Sequence, residues 1–427
     1  MVILRLLSER SAVFISRACI WVYKPSSSPA TLLSTKLPFL SHFYYLLPSP
    51  VIMLDRSTLM LKHYGTDDPE KVKAIIEEDK KAAHRIPDNK LVKMPFPYYA
   101  PSDSLPPIPT PEDVENALTP EYLRSNREGS WADVFRINTV YAVKFSQNNK
   151  LLQEAENLLF LQEHEIRTPK VYAVFSHQGA DPLGYLKRRL RKTWTRSTLP
   201  TYYYLVMDFV DGVGLNDNSW QDFTLEARMK IYDKIGEQVR LLRSIPPPNP
   251  SYYGRINYQG YHPYDMIIGP TRDLVGPFNT YKAFLDHLYN NFESNLAGKL
   301  TRDGSEIKAT HQLFSSNFFD CFDESSKSGE PKLSHMDLKL ENMIFVPSAS
   351  NPSNRVEDYD VWIIDWEYLC WYPAWAEAAA ARQQLPRHHT DECVEAEWGV
   401  SRGIKPFYSA QARFFGECRF AFGGTFC

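Results

Sequence analysis

The chain has 427 residues, enough for two or three domains or for one two-lobed enzyme. Its hydrophobic fraction of 43% is that of an ordinary globular protein, and a net charge of −3 gives no global pull toward nucleic acid or membrane. Six cysteines are scattered without CxxC pairs, the pattern of reduced thiols in an intracellular protein rather than of a disulfide framework.

Residues 1–54 set Arg5, Arg10, Arg17, Lys24 and Lys36 against one acid, Glu9, amid Ser and apolar residues. This basic, acid-poor extension resembles a mitochondrial transit peptide. A gene-model artefact is the alternative, since Met53 begins a segment of different, charged composition. The expected location is therefore cytoplasmic, or mitochondrial if the extension is a targeting signal. No run reaches the roughly 18 uncharged apolar residues a membrane span needs, so no stable membrane insertion is expected.

Residues 55–118 read as a charged helix around DPEKVKAIIEEDKKAAHR, followed by an extended linker carrying seven prolines between Pro95 and Pro111. Compact structure is expected to begin near Thr119. From there SWADVFRI and TVYAVKF alternate as short strands joined at Asn138, a hairpin pattern. A helix, LLQEAENLLFLQEHE, follows, then the strands TPKVYAVF and YYYLVMDFV. Between those strands Lys187–Arg196 holds six basic residues and reads as a solvated loop. Residues 119–211 thus form a small antiparallel β lobe.

Residues 212–400 are mainly helical. FTLEARMKIYDKIGEQVRLLRSI places Phe223, Met229, Tyr232, Ile235, Val239 and Leu242 near helical spacing and stops at Pro246–Pro248. An atypical aromatic tail, 401–427, closes the chain. The fold class is α+β, with a β-rich lobe before a larger helical one.

Chemistry concentrates in two places. LSHMDLKLENMIFV presents His335, Asp337 and Asn342 after an apolar run; 28 residues beyond Asp337, VWIIDWE presents Asp365 in the same way. An Asp, an Asn and a second Asp gathered at strand ends can orient a hydroxyl and hold Mg²⁺ against phosphate oxygens. Lys144 in YAVKF faces away from Val143 and Phe145 and is suited to bridging nucleotide phosphates. In the next helix Leu151, Ala155, Leu158 and Leu161 form one stripe. Glu154 falls inside it and is the natural partner of Lys144, whereas Glu156 falls on the opposite, wet face. Gly129 and Ser130 stand in a segment that reads either as a plain turn or as one whose backbone amides cover phosphates. Asp208, Phe209 and Val210 end a buried strand, where a two-lobed nucleotide binder has its hinge.

The order K…E…LVMDFVDG…HMDLKLEN…IIDWE…YPAWAE resembles the aminoglycoside phosphotransferase and choline kinase-like family, of the protein-kinase-like fold. LRSIPPP, YYG and VGPFNTYKAFLDHLY are similar to its fungal branch. The resemblance covers roughly 119–380. It implies that Lys144 contacts ATP phosphates and pairs with Glu154, that Asp337, with His335, is catalytic, and that Asn342 and Asp365 hold Mg²⁺. LKLEN is also similar to the LKPEN of protein kinases, which places Lys339 near the transferred phosphate. Family members usually carry Gly where this chain has Met336.

The expected activity is transfer of the ATP γ-phosphate to a hydroxyl of a small molecule. Only seven residues separate Asp365 from Pro373, which leaves no room for the activation segment of a protein kinase. A cationic or polyhydroxylated acceptor is expected in a cleft lined by acids such as Glu367 and Glu377. The alternatives are a pseudokinase or nucleotide-binding scaffold with a lost acceptor site and, less favoured, a protein kinase. Acceptor identity and oligomeric state are not legible.

Overall fold

A computed structural model of the chain describes residues 53–84, 86–101, 106–117, 134–179, 200–215, 220, 222–302, 304–349, 353–384 and 402–422. The basic extension up to residue 52, the Gly129–Ser130 turn and the run Lys187–Arg196 lie outside the described residues.

β-Branched and aromatic runs build a five-stranded antiparallel sheet. Its strands are β1 (Tyr98–Tyr99), β2 (Val134–Ile137), β3 (Tyr141–Ser146), β4 (Val171–Gln178) and β5 (Thr201–Asp208), ordered β1-β4-β5-β3-β2. Asn138 and Thr139 take φ of 53° and 61°, the paired left-handed residues that a tight hairpin turn demands. One face of the sheet buries Phe135, Val143, Phe145, Phe175 and Tyr204 with Val114 of the helix Pro111–Ala117. The other presents Ala142, Val174, Leu205 and Met207 to the core shared with the helix Lys150–Leu161. Strand alternation puts Lys144 on that second face.

The helix Lys150–Leu161 corrects one expectation. Every residue from Lys150 to Leu158 is buried, so Glu156 has no wet face. Its carboxylate accepts the Lys93 amide at 2.7 Å, the Met94 amide at 3.0 Å and Gln259 Nε2 at 2.6 Å.

The start of compact structure is also earlier than expected. Helices Arg56–Tyr64 and Pro69–Ala83 bury Leu59, Met60 and Val72. Lys62 reaches Glu293 at 2.5 Å, and Tyr64 donates to the Ser294 carbonyl at 3.0 Å, both on the helix Tyr281–Lys299. Asp55 and Asp68 cap the two helices by accepting the Thr58 and Glu70 amides, and Pro69 opens the second, where its missing N–H costs nothing. The prolines of 95–111 flank an edge strand rather than a free linker: β1 pairs with β4, and Tyr141 donates to the Pro106 carbonyl at 2.6 Å.

Beyond the sheet come β6 (Val213–Gly214), β7 (Pro331–Ser334), β8 (Met343–Val346), β9 (Asp360–Ile363) and β10 (Cys370–Pro373). They form a β6-β8-β9 ribbon and a β10-β7 pair. The helix Leu225–Ser244, capped by Thr224, buries Ile231, Tyr232, Ile235, Val239 and Leu242 and ends before Pro246, as its pattern predicts. The tail helix Ser409–Phe422 is core: it buries Ala412, Phe415 and Phe422, with Phe415 5.1 Å from the Trp375 ring and Phe422 stacked 5.6 Å from Phe292. Burying one such side chain contributes about 1.5–3 kcal/mol. Among the described residues no helix is long and apolar enough to cross a membrane.

Candidate active site

Two hairpin-like turns meet beside β3. β7 runs into His335, Met336 and Asp337; a short helical turn at Leu340–Asn342 then feeds β8. β9 returns antiparallel, and the Ile364 amide donates to the Asn342 carbonyl at 3.0 Å, so Asn342 and Asp365 leave the same end of one ribbon. Met336 and Asp365 both take left-handed backbone, with φ of 71° and 66°. That conformation costs a non-glycine residue about 1–2 kcal/mol and is held only where neighbours enforce it.

The enforcing contacts are visible. The Glu377 carboxylate accepts the His335 amide at 2.7 Å and the Met336 amide at 2.9 Å. His335 is fully buried: Nδ1 accepts the Asp337 amide at 3.1 Å, and Nε2 donates to the Ile364 carbonyl at 2.9 Å. Its ring stands edge-on to Trp366 at 4.5 Å. His335 therefore fastens the two turns together through both ring nitrogens.

Asp337 carries both of its side-chain contacts on Oδ2, from Lys339 Nζ at 2.9 Å and Asn342 Nδ2 at 2.8 Å. Oδ1 is engaged by neither of these two groups. Burial would lower the Lys339 pKa, but the adjoining Asp337 charge outweighs it and holds the ammonium above its ordinary value. Asn342 spends Nδ2 on Asp337, so its Oδ1 is available to a cation.

Lys144 Nζ lies 2.7 Å from Glu154 Oε2 and 2.8 Å from Asp365 Oδ1. Burial alone would depress the lysine; the charges of Asp365 and Glu154 outweigh it and hold it well above the ordinary value. The two acids respond differently. Glu154, with 3% of its side chain exposed, is pushed up to about 7, burial prevailing over Lys144. Asp365, 29% exposed, is held down at about 2 because the Lys144 charge prevails over burial.

The sequence pattern passes over two contributors and gives a third a different role. Gln153 Nε2 donates to the Glu367 carbonyl and Asn157 Nδ2 to the Trp366 carbonyl, each at 2.7 Å, so the helix bearing Glu154 also fixes the turn bearing Asp365. Their signal was present: polar residues at i, i+1 and i+4 of an otherwise apolar stripe. The third is Glu377. Expected to line the acceptor cleft, it is fully buried behind the His335–Asp337 turn, where burial raises its pKa against the pull of His335 and Arg243. Glu367 keeps 28% of its side chain exposed and lies 3.3 Å from Lys150.

At the strand end expected to be the hinge, Asp208 turns its carboxylate to the Lys170 amide (2.9 Å) and the Tyr172 hydroxyl (2.7 Å). The Phe209 amide donates to the Val140 carbonyl at 2.8 Å.

Asp365 and Asn342 offer hard oxygen donors, which fits Mg²⁺; that ion is commonly held by one or two protein oxygens plus substrate phosphates. Among the described residues no group of three or more His, Cys, Asp or Glu could form an all-protein cage.

Residues 123–402 match the model of the phosphotransferase enzyme family, and this span includes Lys144, Glu154, Asp337, Asn342 and Asp365. The chain belongs to that family. No curated protein matches its sequence. Similar solved structures include the streptomycin–ATP ternary complex of APH(2")-IIa, 14% identical over 67% of this chain and 78% of that one, with a TM-score of 0.39. The GDP complex of wild-type aminoglycoside 2'-phosphotransferase-IIIa is 11% identical over 68% and 81%, with a TM-score of 0.36. Spectinomycin phosphotransferase APH(9)-Ia with ADP and spectinomycin is 12% identical over 67% and 78%, with a TM-score of 0.30.

Proposed function

We propose that this phosphotransferase-family chain is an ATP- and Mg²⁺-dependent kinase that moves the γ-phosphate to a hydroxyl of a small molecule. The observation that carries the reading is Lys144 held between Glu154 and Asp365, on turns that also bring Asn342 and Asp337 together. Lys144 stays protonated and presents its charge to the nucleotide phosphates. Asp337 Oδ1 accepts a hydrogen bond from the acceptor hydroxyl and aligns it for in-line attack, while Lys339 stands beside the transferred group. Asn342 and Asp365 would hold Mg²⁺, whose charge would offset that of the phosphoryl oxygens. Phosphoryl transfer asks little covalent chemistry of a protein, so positioning and charge suffice.

A small acceptor is favoured because β10 and the helix Ala376–Gln384 follow Asp365 at once, without the long segment that frames a peptide groove. The acceptor class, cationic or polyhydroxylated, rests on Glu367 as the acid left facing outward. The test is ATP consumption by the purified protein against a panel of amino alcohols, sugars and amino sugars. Acceptor-dependent ADP release supports the reading. Nucleotide binding without turnover on any acceptor would favour a nucleotide-binding scaffold.

A further inference from the structure

The helix Lys150–Leu161 is gripped from two sides. Glu154 holds Lys144, and Glu156, about 200° further round at 100° per residue, holds a segment that precedes the family-matched region. Glu156 Oε1 accepts the Lys93 amide at 2.7 Å, the Met94 amide at 3.0 Å and Asn257 Nδ2 at 3.1 Å. Oε2 accepts Gln259 Nε2 at 2.6 Å and lies 3.4 Å from Arg255 Nη2. Arg255 is fully buried and donates to the Leu91 carbonyl at 2.7 Å.

The same segment fastens the helix start and the sheet. Asn149 donates to the Ile86 carbonyl at 2.7 Å and to Asp88 at 2.9 Å, and Tyr203 of β5 donates to Asp88 at 2.9 Å. Lys93 Nζ reaches the Asn257 carbonyl at 2.5 Å. Residues 86–94 therefore tie the helix, the sheet and the 255–259 turn into one assembly.

We propose that Glu156 is a positioning residue for the nucleotide site. By docking residues 86–94 and the 255–259 turn, it fixes the helix so that Glu154 stays within reach of Lys144 and Gln153 and Asn157 within reach of the Asp365 turn. The segment outside the family match is thus a working part of phosphate binding. The inference rests on the proposed kinase reading for its functional consequence, and on the contacts alone for its mechanical part.

The test uses the full chain with Glu156→Gln, Asn257→Gly (which removes the Nδ2 contact at a residue with φ of 58°) and the double variant Glu156→Gln/Gln259→Glu. The double variant exchanges amide and carboxylate across the 2.6 Å contact between positions 156 and 259 and so keeps one buried carboxylate in the cluster. Affinity for a non-hydrolysable Mg·ATP analogue is measured where circular dichroism shows every variant folded, with amide exchange of 150–161 read against 281–299. Glu156→Gln should weaken binding about tenfold or more and speed exchange in 150–161 selectively. Asn257→Gly should do the same to a smaller extent, and the double variant should return affinity to within about threefold of wild type. Binding within twofold of wild type in Glu156→Gln, or no recovery in the double variant, overturns the proposal. If the wild type binds no nucleotide, the kinase reading falls, and selective exchange in 150–161 alone decides the mechanical part: present it stands, absent it fails.

Discussion

Lys144 on β3 meets Asp365, 221 residues later in the chain, at 2.8 Å. This contact joins the sheet to the β8–β9 ribbon, and with 19% of the lysine and 29% of the aspartate side chain exposed, water screens it less than it would a surface pair.

Removing either partner should weaken nucleotide binding itself. A charge-assisted hydrogen bond is worth about 1.5–3 kcal/mol, so Lys144→Ala and Asp365→Ala should each lose roughly ten- to a hundredfold in Mg·ATP affinity by calorimetry. Unchanged affinity in both would place the phosphate site elsewhere.

Glu377→Gln should disturb the turn without touching a substrate. A glutamine keeps one acceptor and turns a donor toward the second amide, so about 2–3 kcal/mol of stability should be lost. The urea midpoint should fall and turnover drop more than ATP affinity. A variant with a wild-type midpoint would remove Glu377 from this role.

Met336→Gly exchanges two opposing effects. Glycine relieves left-handed strain of about 1–2 kcal/mol but empties a fully buried site, at a cost of about 2–5 kcal/mol for a deleted methionine. The expected balance is a less stable protein by urea unfolding. A stabilised variant would show that the methionine fills no space of consequence.

His262 gives a pH dependence of known sign. It is 3% exposed, and burial, aided by the charges of Lys150 and Arg255, pushes its pKa from 6.5 down to about 2. Between those values the unfolded chain binds a proton that the folded chain refuses. Stability from this group is therefore full above 6.5 and lost as pH falls below it, by about 2 kcal/mol at pH 5. Urea unfolding at pH 7 and 5 should show that loss, and His262→Asn, which keeps an acceptor for the Tyr264 amide, should reduce it. Equal losses in both proteins would contradict the assignment.

Much of the site could be read from residue order because its parts are local. The alternation of YAVKF set the side of Lys144, and the helical stripe containing Glu154 set its partner. Glu156 was misplaced because a helical wheel assumes one buried face, and here residues 86–94 cover the other. Residues 95–111 read as a linker because proline count says nothing about whether an edge strand pairs, as β1 does with β4. Residue order alone does not separate a pocket acid from a buried one at Glu377, because its direction depends on where the helix Ala376–Gln384 starts relative to β7, a tertiary matter. His335, legible as part of a catalytic motif, proves to be a pin whose two ring nitrogens are both engaged.

The central claim is that Asp337 directs a small-molecule hydroxyl onto the ATP γ-phosphate. Wild type and Asp337→Asn should be incubated with γ-labelled ATP, a pool of hydroxyl-bearing metabolites and a generic protein substrate. The account predicts label in small molecules with wild type, at least a hundredfold less with Asp337→Asn, and Mg·ATP affinity within a few-fold in both. Label in protein alone, or turnover by Asp337→Asn within tenfold of wild type, would contradict it.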